Sequence, residues 1–394
     1  MTCPRCGQAA AYHGDRERSP LSLFGPIRYR RAYYYCRRCG GLCPFDARAH
    51  LSARALTPAA ERLATLAGGV ADSFGKGADL LREMAGLRLS ESTVERTTED
   101  VGARLAALLA AGITFGPPVR WDWRRDARGR TVAYVTVDAT GTRQQGPGGA
   151  AAEGRMAYVA GVYNPPPADG RRPAGAAPAV QARYVAGLYG LADVGPLLRR
   201  QAAQVGMEAA ELWVALTDGG SGLEDFARHN FNRPDLVLIL DFYHAASYLE
   251  KLARALHPAD EAAAVAQARQ WCQLLQEEGG ATTLAVLREW AWPARQPAAL
   301  RAQRAAVEEY FAKNVHRMEY PEYRAEGWQI GSGVVESACK TVVGQRLKGA
   351  GKRWGEDGAH ALCHVRALYR SEKGQWEAFW QHQHASPPAV QQLN

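Results

Sequence analysis

Four acidic residues stand where chemistry could use them. Asp138 follows the alternating run in "TVAYVTVDATG", Asp218 closes the apolar part of "ELWVALTDGGSG", and Asp241 closes that of "DLVLILDFYHA". Each lies at or beside the C-terminal end of an expected strand, the edge of an α/β sheet where reacting groups gather. Asp138 and Asp218 are followed closely by glycine, which leaves room for an ion or a backbone to approach. Two or three carboxylates supply the hard oxygen ligands that suit Mg²⁺ or Mn²⁺. A pair of such ions about 4 Å apart clamps the attacking and leaving oxygens of an in-line phosphoryl displacement. Such a site needs a further acid. Carboxylates between 242 and 328 fall at exposed helical spacings among Arg and Lys, as solvated faces do. Glu336, in "IGSGVVESACK", differs: it opens a helix after a Gly-rich turn, and the chain beyond it carries seven Lys or Arg against two acids over 340–370.

A second chemistry is written in cysteine. Five of the eight cysteines fall in the first 43 residues, as "CPRC" and "CRRCGGLC". The two C-x-x-C pairs, Cys3 with Cys6 and Cys36 with Cys39, offer four thiolates for a tetrahedral Zn²⁺. The stretch between them contains "LSLFGPIRYRRAYYY", which predicts strand, Gly-Pro turn, strand, a hairpin that would bring the pairs together. Cys43 is left over, and Cys272, Cys339 and Cys363 lie on helical patterns as small buried apolar residues. Arg28, Arg30, Arg31, Arg37 and Arg38, interleaved with Tyr29 and Tyr33 to Tyr35, suit phosphate contact with aromatic support.

The elements that must position these groups divide the chain into three predicted domains. Residues 1–50 form the zinc-ribbon hairpin. Residues 51–118 predict three helices, "TPAAERLATLAGG", "GKGADLLREMAG" and "SESTVERTTEDVGARLAALLAAG", the last with Ser92 and Glu95 at capping-box spacing; either a helix-turn-helix or a plain bundle fits them. From 119 onward a Pro- and Arg-rich linker gives way to strands and helices of an α/β sheet, interrupted by an all-helical insertion at about 242–328.

Composition sets outer limits. Hydrophobic residues make up 47% of 394 residues and charged residues 22%, the values of a chain with a core, which excludes wholesale disorder. No apolar run reaches the roughly 18 residues of a membrane span, and "MTCPRCG" has no apolar signal core, so a cytoplasmic protein without membrane contact is expected. The net charge of +8 favours a polyanion. Residues 1–60 hold ten Arg, no Lys and three acids, so the excess lies in two separated regions, this one and 340–370.

Taken together, "CPRCG", "LFGPIRYRRAYYYCRRCGG", "VTVDATG", "ALTDGGSG", "LILDFYHAASYL" and "IGSGVVESACKTVVGQRLKGAGKRW" resemble, in content and order, bacterial insertion-sequence transposases of the DDE class. The resemblance is to the ISKra-type family, related to Mutator-like enzymes. It implies an RNase H-like catalytic core in which Asp138, Asp218 and Glu336 form the triad and hold two Mg²⁺ or Mn²⁺ ions. "DFYH" fits the Cys/Asp-x-x-His signature of that group, which puts Asp241 and His244 beside the site in a supporting role. Lys340, Arg346, Lys348, Lys352 and Arg353 would hold the DNA backbone, and Trp354 of "GKRW" would stack on an unpaired base. The partners implied are element ends and target DNA on the nucleoid, bound by a homodimer or larger assembly, with Zn²⁺ structural. A nuclease without strand transfer and a domesticated DNA-binding regulator remain as alternatives.

Overall fold

The computed structural model describes residues 1–165 and 180–385. The N-terminal segment contains β1 (Ala10–Arg18), β2 (Leu21–Ser22), β3 (Gly25–Pro26), β4 (Tyr29–Cys36), β5 (Gly40–Leu42) and α1 (Pro44–Arg48). Then come α2 (Pro58–Val70), α3 (Phe74–Ala85) and α4 (Glu91–Ala110). The long strands β6 (Val132–Gln145) and β7 (Ala151–Asn164) precede β8 (Gln181–Gly187), α5 (Leu191–Gln204), β9 (Leu212–Thr217), α6 (Leu223–Asn230) and β10 (Val237–Leu240). A helical run follows: α7 (Phe242–Leu256), α8 (Glu261–Glu289), α9 (Ala298–Asn314), α10 (Tyr320–Ala325) and α11 (Gly333–Ala338). A π-helical turn, Cys339–Gly344, leads to α12 (Gln345–Leu347), α13 (Glu356–Arg370) and α14 (Gln375–Ala385).

Two compact units share these elements. One comprises Met1–Gly116, Thr142–Gly154 and the chain from Val343 onward; the other comprises Pro117–Gly141 and Arg155–Val342. The stretch expected as a single domain from 119 to the C-terminus is therefore divided, and its basic tail groups with the N-terminal segments.

In the first unit β1 pairs antiparallel with β4, and β4 with β5. The hairpin differs from expectation: its first long strand lies upstream at Ala10–Arg18, while "LSLFGPI" makes only the small β2–β3 ribbon. The sequence "AAYHGDRER" hides the strand because its second half is charged, with Glu17 opposite Arg30, and only Ala10 to Tyr12 pair with Cys36 to Tyr34 as an apolar run would. The three helices lie where the periodicity predicts them. The cap of α4 is Ser90, whose hydroxyl accepts from the Thr93 amide at 3.2 Å, two residues before the expected Ser92. Helix α4 packs against α2 and α13. Gly68 and Gly102 make these approaches possible, since a methyl on either would overlap Thr98 or the Ala361 carbonyl. From Gly358 to Leu368 nearly every residue of α13 is buried, as in a helix enclosed on all sides.

The second unit is built on a five-stranded sheet in the order β10-β9-β6-β7-β8. β6, β9 and β10 run parallel, as the Val- and Leu-rich runs predict for an α/β core, and β7 is antiparallel to β8, so the sheet is mixed. Val214, Leu216, Ile239 and Leu240 share one core with Ala245, Leu249 and Leu252 of α7 and with Trp271, Leu275, Phe311 and Tyr320 of the helical run. At about 1.5–3 kcal/mol for each large apolar side chain enclosed, this packing fixes the helices to the sheet.

Candidate active site and metal centre

Register brings three of the acids to one level. Val137 pairs with Thr217 and Thr217 with Leu240, so the next residue on each of three adjacent parallel strands is an aspartate: Asp138, Asp218 and Asp241. Neighbouring strands lie about 4.8 Å apart, which makes this a rung of carboxylates where the parallel pairing ends; β6 itself runs on to Gln145, so Asp138 lies within its strand and not at the end that the sequence predicts. Asp138 Oδ1 accepts from the Ala139 amide at 2.6 Å, and its Oδ2 lies 3.4 Å from the Cys339 thiol. Asp218 Oδ1 accepts from the Gly220 amide at 2.8 Å, and its Oδ2 lies 4.0 Å from Nδ1 of the partly exposed His244.

Asp241 is buried at 1% exposure and caps α7, accepting from the Tyr243 amide at 2.8 Å. Its second oxygen bonds the Ser332 hydroxyl, which also lies 3.3 Å from Glu336 Oε1. Ser332 is the N-cap residue of α11, so a buried carboxylate fixes the start of the helix that carries Glu336. That helix is amphipathic, with Val335 and Ala338 inward and Glu336 and Ser337 exposed. The π turn that follows is a local irregularity of the kind found at functional sites.

Electrostatics mark the same residues. Burial, and then the nearby Asp218 charge, push the Asp138 carboxyl above its usual range; burial and then the charge of Asp241 do the same to Glu336. Among the described residues no Lys or Arg forms an ion pair with Asp138, Asp218, Asp241 or Glu336. The cation contributed from the insertion, Arg317, is buried and held by Thr217 Oγ1 at 3.1 Å, by Asn314 and by Glu224. Four acids without a paired guanidinium or ammonium form a donor set suited to a hard divalent cation. They stand wider than a closed site: among the described residues only the N-terminal cysteines gather three or more ligand atoms within 4.8 Å of one another.

Two features of this site escape sequence reasoning. Arg317 is one. Tyr310 is the other: its ring lies against Gly219, stacks on Tyr248 at 4.0 Å and 12°, and is tilted against His244 at 5.9 Å. The space at Gly219, expected to admit an ion, is occupied by this ring, which corrects that expectation. Burial and then Asp218 raise the Tyr310 phenol above its usual range. Tyr310 and Arg317 lie on or next to α9, whose sequence reads only as an amphipathic helix.

The metal centre has the expected ligands. The sulfurs of Cys3, Cys6, Cys36 and Cys39 lie within 4.8 Å of one another, with Cys6 and Cys36 3.6 Å apart, near the roughly 3.8 Å that four Zn–S bonds of 2.3 Å impose. Each C-x-x-C ends in a glycine at positive φ, Gly7 at 74° and Gly40 at 76°, with open space around both, so the knuckle conformation is what requires glycine. The surrounding core is four buried residues, Cys3, Ala10, Cys36 and Leu42, too few to fold alone. The cluster could hold a structural zinc and fits a zinc ribbon. Cys43 stands outside it as a buried residue whose thiol burial pushes up.

The basic residues separate into two groups. Arg28, Arg30, Arg37, Arg38, Lys340, Lys348 and Arg353 are exposed. Arg31, Arg346 and Lys352 instead have interior partners, which corrects the expectation that they contact DNA in this fold. Arg31 and Arg18 grip Asp46, which Tyr29 also reaches at 2.8 Å. Arg346 is buried between the rings of Phe74 (4.4 Å) and Trp354 (4.9 Å) and donates to the carbonyls of Gly68 and Asp72. Lys352 donates to the same Asp72 carbonyl at 2.6 Å, and Arg366 to that of Gly69. These three cations meet the negative end of α2, whose last turn has no basic residue of its own. Trp354 is 8% exposed, and its indole donates to the Leu347 carbonyl, so it packs the core and does not stand ready to stack on a base.

No helix among the described residues is long and apolar enough to cross a membrane. No family model matches the chain, and no curated protein matches it.

Proposed function

We propose that this chain is a metal-dependent DNA transposase of the DDE class with an RNase H-like core, cutting the ends of an insertion sequence and joining the freed 3′-OH to target DNA. The observation that carries the reading is the rung of Asp138, Asp218 and Asp241 across three parallel strands, with Glu336 drawn beside it through Ser332. Strand order supports it as well. Counting β6 to β10 as first to fifth, the sheet runs 5-4-1-2-3 with the fourth and fifth strands parallel to the first, the arrangement of RNase H-like folds.

In this reading Asp138, Asp218 and Glu336 would hold two Mg²⁺ or Mn²⁺ ions, which when bound stabilise charge on the attacking and leaving oxygens of a phosphodiester. Asp241 positions the first turn of α11 through Ser332. His244 offers an imidazole beside Asp218, its Nδ1 4.0 Å from Oδ2, in a supporting role. Exposed Arg28, Arg30, Arg37, Arg38, Lys340, Lys348 and Arg353 supply phosphate contacts, and the zinc ribbon presents the first four of these. Joining two ends calls for a homodimer or larger assembly working on nucleoid DNA in the cytoplasm.

The test is incubation of the full-length protein with DNA carrying the element's ends and Mg²⁺ or Mn²⁺. Joined products are expected. Nicks alone would favour a nuclease, and binding without cleavage a regulator. Asp138→Asn and Glu336→Gln should each lower cleavage by about three orders of magnitude, the scale of several kcal/mol of lost charge stabilisation. Cleavage intact in either variant would refute the site.

A further inference from the structure

We propose that Tyr310 is a positioning residue for Asp218, its hydroxyl fixing the carboxylate in the orientation that binds a divalent cation. The inference rests on the reading of Asp218 as a metal ligand and assigns a role to the helical insertion, which that reading leaves as a covering layer. Its starting point is an unsatisfied donor. The Tyr310 side chain is 9% exposed, and its hydroxyl is buried with no hydrogen-bond partner among the described residues. A buried phenol without an acceptor is unfavourable and uncommon in native folds.

The acceptor adjoins the residue that the Tyr310 ring touches. Tyr310 lies so close to the loop after β9 that a methyl on Gly219 would fall 2.7 Å from its hydroxyl oxygen, and Asp218 is the preceding residue. Asp218 Oδ1 is engaged by the Gly220 amide, whereas Oδ2 has only His244 Nδ1 at 4.0 Å, beyond hydrogen-bond length. In the proposed arrangement the Asp218 side chain, held at present by the Gly220 amide, would turn so that a carboxylate oxygen accepts from the Tyr310 hydroxyl. The donor is already placed: the ring is clamped by Tyr248 at 4.0 Å, and the Asn314 amide donates to the Tyr310 carbonyl at 2.8 Å. Glycine at 219 is required because any larger residue would displace the ring.

The test is Mn²⁺ affinity of the full-length protein without DNA, read as free Mn²⁺ by electron paramagnetic resonance. Tyr310→Phe keeps the stack and removes one partnerless oxygen, so the fold is retained and the melting temperature is not lowered. Its Mn²⁺ affinity should fall about ten-fold, the scale on which groups behind a metal ligand act. Tyr248→Phe, which alters the other ring of the stack, should leave affinity unchanged. Wild-type affinity in Tyr310→Phe, alongside loss in Asp218→Asn, would overturn the inference and leave the function standing. An equal loss in Tyr248→Phe would also overturn it, by assigning the effect to the stack. Mn²⁺ binding unaffected by Asp218→Asn would bring down both.

Discussion

At the residue scale, single side chains in this protein serve structure and chemistry together. Asp241 is a helix cap by its hydrogen bonds and a neighbour of Glu336 by its charge, so the position that anchors α7 also raises the Glu336 carboxyl. His364 shows how far burial alone can move a group. Enclosed in α13, its imidazole is pushed down to about 3, first by burial and then by His360. It stays neutral in the folded protein while the unfolded chain takes up a proton near pH 6.5. Between those values the unfolded state binds more protons, so stability is fully present above about pH 6.5 and is lost as pH falls below it. Between pH 7.5 and 5 wild type should lose about 2 kcal/mol more than His364→Gln, by urea unfolding at both pH values. Parallel losses would show that His364 carries no such penalty.

At the element scale, the basic tail resolves into opposite roles within a few residues. Arg346→Met would leave the Gly68 carbonyl at the end of α2 without its buried donor and the Phe74–Trp354 pair without its cation, a loss of about 3 kcal/mol by denaturant unfolding. Arg353→Ala, at an exposed position, should change stability by less than about 0.5 kcal/mol and reduce the salt dependence of DNA binding by about one unit of slope. The zinc ribbon gives a sharper outcome. Chelation, or Cys36→Ser, should abolish amide hydrogen-exchange protection across β1, β4 and β5 while β6, β9 and β10 keep theirs, because the hairpin's own core is so small.

These elements also mark how much could be read in advance. Strands β6, β9 and β10 were legible because Val-, Leu- and Ile-rich runs end abruptly in aspartate, and helices α2 to α4 because their apolar residues repeat at helical spacing. The four zinc ligands were legible from C-x-x-C spacing alone. The inward turn of Arg346 and Trp354 was not, because the π turn at Cys339–Gly344 shifts the helical phase, so an exposed Lys340 says nothing about the direction of residue 346. Tyr310 and Arg317 were hidden for another reason: their meaning comes from tertiary contact, Tyr310 with Gly219 and Arg317 with Thr217 and Glu224, which no local period encodes.

At the scale of the whole molecule, the N-terminal basic region and the basic residues from Arg346 onward fall in one compact unit, while all four acids of the candidate site, with Lys340, fall in the other. In the proposed function, phosphate contact and chemistry would thus fall largely to different units, in a chain of net charge +8. The account stands on the proposal that the acids form a cation site. The most direct measurement is anomalous scattering at the manganese edge from crystals of the full-length protein grown with Mn²⁺. Manganese peaks coordinated by Asp138, Asp218 and Glu336, lost in Asp138→Asn, are expected. An ordered site at these residues with no manganese, while the Mn²⁺ is bound elsewhere, would contradict the account.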